Sequence, residues 1–225
     1  MYYEPTTSSN MGPVPGPQAR TGGLFSLNHL ALQLVLTCLV FYLWSSPLVQ
    51  PIKLMVVLFH EISHGMMALF SGGKIISILI TADEGGACET EGGSEPMIVT
   101  AGYLGSMLVG GMILYLSRAR QFVPLVFGLL TLILVAAIAT VIRDSYSRTF
   151  ASGLAVAFVL CGFLAPSTVG AVLLRAIGTF TCLYSLFDIY WDILASRGPA
   201  AGLNDAVAFS QLTGAEPQVV GVAWL

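Results

Sequence analysis

Six apolar stretches, most of them near the length a helix needs to cross a bilayer, take up the greater part of this chain. A spanning helix requires about 20 apolar residues. The stretches run Leu27–Trp44, Ile52–Phe70, Met97–Leu116, Phe122–Ile142, Phe150–Leu164 and Thr168–Leu194. Only 9% of the residues are charged and 56% are hydrophobic. A soluble domain carries about 25% charged residues, because charge covers its surface. The chain therefore reads as an all-α polytopic membrane protein with about six transmembrane helices and the lipid bilayer as its solvent.

Residues 1–26 differ in kind. They are rich in Pro, Gly, Ser and Thr, with Pro13, Pro15 and Pro17 at alternate positions. A segment of this composition is expected to be disordered. The expected organisation is thus a polar start over 1–26, a membrane core over 27–195 and a C-terminal loop over 196–225. The last apolar stretch, Val219–Leu225, reads as part of a further span or as an interfacial anchor with Trp224 at the headgroups.

The net charge of -3 leaves no polybasic surface. Nucleic acid is excluded as an expected partner, since phosphate binding needs clustered Lys and Arg. Cys38, Cys161 and Cys182 fall in apolar runs, and Cys88 lies in a polar loop. That is neither a disulfide framework nor a cysteine metal knuckle. No sequence feature indicates an oligomeric state.

Residues 72–95, between the second and third stretches, break the helical pattern. Lys74–Thr81 is rich in β-branched residues and follows Gly72-Gly73, and Gly85-Gly86 and Gly92-Gly93 come after it. This predicts a small β segment with glycine turns.

The chemistry sits in the second stretch, which contains His60-Glu61-Ile62-Ser63-His64. On a helix, residues four apart share a face. His60 and His64 can then hold one zinc ion, and Glu61 is placed to take a proton from a water on that ion. Charged groups inside a membrane cost at least about 2.5–3.5 kcal/mol each on insertion scales, so such a cluster demands a function.

Zinc needs a third protein ligand. His29 lies at the edge of the first stretch and suits an interfacial role better. Asp188 and Asp192, again four apart, are the acids besides Glu61 within apolar stretches. Asp188 is the deeper and the expected ligand, with Asp192 as an outer partner to an imidazole N–H. Asp205, in Asn204-Asp205-Ala206, is the rival ligand and equally a helix N-cap. Gly102, Ser106 and Gly110 form a small-residue face on the third stretch, which lets another helix approach closely.

The segment Phe59–Gly65 resembles the zinc motif of the site-2 protease family of intramembrane zinc metallopeptidases. In that family a small β region follows the zinc helix and a later helix supplies an aspartate. Ala101-Gly102-Tyr103-Leu104-Gly105-Ser106 is similar to the family's Ala-Gly-Pro-x-x-Asn segment, with Tyr and Ser replacing Pro and Asn. The closest likeness is to a divergent, compact branch without a PDZ domain, in which an Asn/Ser-Asp-Ala stretch lies near the end. The family's Asp-Gly motif is missing, because Asp188 is followed by Ile189.

The resemblance implies hydrolysis of peptide bonds in transmembrane or membrane-proximal substrates, with Glu61 as base and His60 and His64 as zinc ligands. Two other classes fit the same cluster: an inactive pseudo-protease that binds client membrane proteins, and a metal transporter. A transporter is expected to show internal repeats and broken helices in matching positions, and the chain has neither feature in its sequence.

Overall fold

The computed structural model describes residues 27–195 and 204–225. The polar start over 1–26 lies outside the described residues, as do the side chains of His29 and Asp192. Eight α-helices and a two-stranded sheet make up the described chain.

Helix α1 (Leu27–Leu43) ends before Pro47, where Ser46 Oγ accepts from the Leu48 amide. Helix α2 (Gln50–Phe70) carries the His-Glu-x-x-His sequence. It stops at Gly72, whose φ of +88° is a left-handed conformation that glycine adopts without steric cost. The Gly73 amide then bonds back to the Ala68 carbonyl at 2.7 Å and closes the helix end.

Strands β1 (Lys74–Ile80) and β2 (Gly86–Glu91) form an antiparallel hairpin against α2. The β segment expected over 72–95 is present. Helices α3 (Glu95–Leu116), α4 (Val123–Thr140), α5 (Ser145–Val159) and α6 (Ser167–Asp188) follow. The helices α5 and α6 each run on into a wider π turn, Leu160–Leu164 and Ile189–Ala195. Two short helices close the chain, α7 (Asp205–Thr213) and α8 (Pro217–Trp224).

Among the described residues, five helices are long and apolar enough to cross a membrane, and α1 contributes a shorter apolar helix, Ala31–Leu43. Large apolar side chains such as Leu108, Leu132 and Leu164 are exposed on them. Such a surface is stable facing lipid and costly facing water.

Small residues set how closely the helices meet. A Cβ added at Gly178 of α6 would sit 2.7 Å from the Gly110 carbonyl of α3. Ser106 and Ser185 join the same helices through a buried 2.8 Å hydrogen bond. The small-residue face therefore packs on α6 through Ser106 and Gly110, while Gly102 meets α2.

Helix α7 packs on α3, and α8 packs on the π turn after α6. Trp224 is buried beside Tyr103, Ile189, Ile193, Ala206 and Val220. This differs from the expected headgroup anchor. The indole finds an apolar seat on α3 and the π turn after α6.

Candidate metal centre

Helical spacing places His60 and His64 one turn apart on α2, with their Nε2 atoms 3.0 Å from each other. Asp205 Oδ2 lies 3.0 Å from His60 Nε2 and 3.2 Å from His64 Nε2. Among the described residues, these three are the His, Cys, Asp or Glu group that could hold a metal ion.

Local structure at each position explains the convergence. His64 Nδ1 is 2.7 Å from the Ile98 carbonyl oxygen of α3. A carbonyl only accepts, so Nδ1 carries the proton and Nε2 of the neutral ring offers a lone pair. The first turn of α7 is capped by Asn204, whose Oδ1 accepts from the Val207 amide at 3.0 Å. Asn204 does the capping, and the carboxylate of Asp205 is left to turn toward the imidazoles.

The donor set fits zinc. Asp205 Oδ2 is buried and finds no hydrogen-bond partner of good geometry. An orphaned buried carboxylate oxygen beside an imidazole lone pair is unfavourable unless a cation sits among them. Ligand bonds of about 2.0–2.1 Å in a tetrahedron separate neighbouring ligand atoms by about 3.3 Å, close to the spacings here.

Backbone closeness walls the site. A Cβ on Gly102 would fall 2.5 Å from His60 Nε2, so α3 approaches the imidazoles only because this residue has no side chain. Across the site, the Gly86 backbone of β2 lies against Glu61, where a Cβ would be 2.9 Å from Glu61 Cδ. Glu61 is buried.

Two cavities meet at Glu61, Gly86 and Asp205. One, of about 260 Å³, also touches His60, Tyr103, Glu84 and Asp188. The other, of about 470 Å³, runs along Ala87, Cys88 and Thr90 of β2 toward Ile98, Val99 and Leu212. Burial pushes the Cys88 thiol up to about 12, and the Glu61 carboxylate adds to the shift.

The site thus brings together His60, Glu61, His64 and Asp205. Asp188, the expected third ligand, is the last residue of α6 and lines the smaller cavity, outside the three-atom convergence. Sequence reasoning favoured it because it lies within an apolar stretch. The carboxylate that meets the two imidazoles instead comes from α7, a short helix packed on α3. Glu84, Gly86 and the Ile98 carbonyl were not singled out beforehand. The glycine pair at 85–86 was the only signal of a close backbone approach.

The chain matches one family model, described as Peptidase M50B-like, over residues 33–225. No curated protein and no solved structure matches it.

Proposed function

The chain belongs to the Peptidase M50B-like family, a site-2 protease family, and from that premise we propose that it is an intramembrane zinc metalloendopeptidase acting on transmembrane or membrane-proximal peptides. It is a multi-pass integral membrane protein. The observation that carries the proposal is the convergence of His60 Nε2, His64 Nε2 and Asp205 Oδ2 beside the buried Glu61.

In this reading His60, His64 and Asp205 hold the ion, and Asp188 is a wall residue of the smaller cavity. When bound, zinc supplies Lewis acidity toward water and toward the scissile carbonyl. Glu61 accepts the proton of the attacking water and returns it to the leaving amide nitrogen. Burial excludes competing solvent from that transfer, and the Gly86 backbone holds the carboxylate in place. The Ile98 carbonyl fixes the His64 tautomer.

The peptide is bound as an extended strand, because a helix hides its amides. Strand β1 is occupied on its outer side. The Ile78 amide bonds to the Val141 carbonyl at 3.1 Å, and the Ile80 amide to Ser147 Oγ at 2.8 Å. Among the described residues strand β2 pairs with β1 alone, and its residues Gly86, Ala87, Cys88 and Thr90 line the larger cavity. Edge addition on β2 would lay a substrate beside Glu61.

The test is Glu61→Gln, purified and reconstituted with a transmembrane peptide substrate. Cleavage should vanish while zinc stays near one ion per chain. Cleavage at the parental rate would remove Glu61 as the base. Zinc and peptide binding in the parent without any cleavage would instead favour a client-binding pseudo-protease.

A further inference from the structure

At the tip of the hairpin, between β1 and β2, one carboxylate reaches two helices. Glu84 Oε1 lies 3.1 Å from Lys53 Nζ of α2, and Glu84 Oε2 accepts from the Tyr184 hydroxyl of α6 at 3.2 Å. The Lys53 ammonium also stands over the Trp44 ring, 5.2 Å from its centroid. Beside it, Gln50 Nε2 donates to the Ala82 carbonyl at 3.0 Å. The tip is thereby joined to α2 and α6, two of the helices that line the smaller cavity.

The backbone at Glu84 is unusual. Its φ is +69°, and among the described residues it is the one non-glycine at positive φ. Glycine or asparagine occupies this region at lower cost than glutamate. A strained position that is held by specific contacts at a site is evidence for a role of the side chain. Two residues on, Gly86 touches Glu61.

We propose that Glu84 is a positioning residue, clasping the hairpin tip to α2 and α6 so that the Gly86 backbone holds Glu61 in its working orientation. This role rests on Glu61 being the base. Loosening the clasp leaves His60, His64 and Asp205 intact, so the metal centre persists while the base loses its support. A shift on the order of an ångström at a catalytic group costs up to about a hundredfold in rate.

Cys88 provides a reporter that does not depend on catalysis. It lies on β2, and a Cβ at Gly65 of α2 would be 3.4 Å from its sulfur. The experiment uses a background in which Cys38, Cys161 and Cys182 are replaced by serine, and compares the parent with Glu84→Ala, Glu84→Gln and the exchanged pair Lys53→Glu/Glu84→Lys. Maleimide labelling of Cys88, zinc content, kcat and KM are measured.

The expected result for Glu84→Ala is faster Cys88 labelling, unchanged zinc, and kcat lowered about tenfold or more with KM within about twofold. The exchanged pair should recover both labelling and kcat relative to Glu84→Ala, because the Tyr184 hydroxyl can accept from the introduced ammonium. Glu84→Gln should fall between the two. Unchanged labelling in Glu84→Ala overturns the clasp, and faster labelling with parental kcat overturns its positioning role. A parent that cleaves nothing refutes the peptidase reading instead, and the labelling rate alone then decides the clasp.

Discussion

Gly102 on α3 faces His60 on α2 so closely that a methyl group on it would sit 2.5 Å from His60 Nε2. The contact is with the same nitrogen that lies against Asp205 Oδ2. Gly102→Ala should therefore displace the imidazoles before it disturbs the bundle. We expect loss of zinc binding by at least about tenfold with helix content unchanged, read from metal stoichiometry and circular dichroism. Parental zinc content would mean that the two helices separate without cost.

The two candidate aspartates should part cleanly. Asp205→Asn removes the anionic oxygen that meets both imidazoles, and purified protein should carry little zinc. Asp188→Asn should retain it, since Asp188 borders the cavity without joining the convergence. Metal analysis of the two variants side by side decides the assignment, and the reverse pattern would restore Asp188 as the ligand.

The contact between α3 and α6 predicts a contrast among glycines. Gly110→Ala would press a methyl against the Gly178 carbonyl at 3.0 Å and Cys182 Sγ at 2.8 Å. Backbone cannot give way, so a loss of about 1–3 kcal/mol is expected, read as a lower unfolding midpoint in detergent. Gly111→Ala, one position on, meets nothing within 4 Å and should not lower the midpoint.

Cys88 should behave as a protonated thiol at neutral pH. With the thiol at about 12, the reactive thiolate is scarce below that value. Raising the pH from neutral into the mild alkaline range should accelerate maleimide labelling by about tenfold per unit without a plateau. A plateau near the ordinary cysteine range would show that Cys88 is solvated.

Much of this architecture was legible because membrane helices announce themselves. Long, largely apolar runs marked α2 to α6, and Gly72-Gly73 marked the turn into the hairpin. His60, Glu61 and His64 were legible because helical spacing alone brings the two imidazoles together. Asp205 was harder to assign. Its approach to the imidazoles depends on α7 packing onto α3, and Asn-Asp before a short helix reads equally well as a cap. Asn204 takes the cap, a division of labour between adjacent residues that only tertiary docking decides. The burial of Trp224 was hidden for the same reason: its seat is assembled from α3, the turn after α6 and α8. Glu84 carried no signal, since a glutamate in a polar turn is unremarkable until its φ and partners are known.

The three convergent atoms come from opposite ends of the folding chain. His60 and His64 belong to the second helix, whereas Asp205 belongs to the seventh. During synthesis, the first five long helices can all be inserted while the donor set is still one member short. The cluster of His60, His64 and Asp205 is complete only once α7 has emerged and docked. In the proposed peptidase, that order would leave the donor set incomplete until the surrounding bundle exists to confine it.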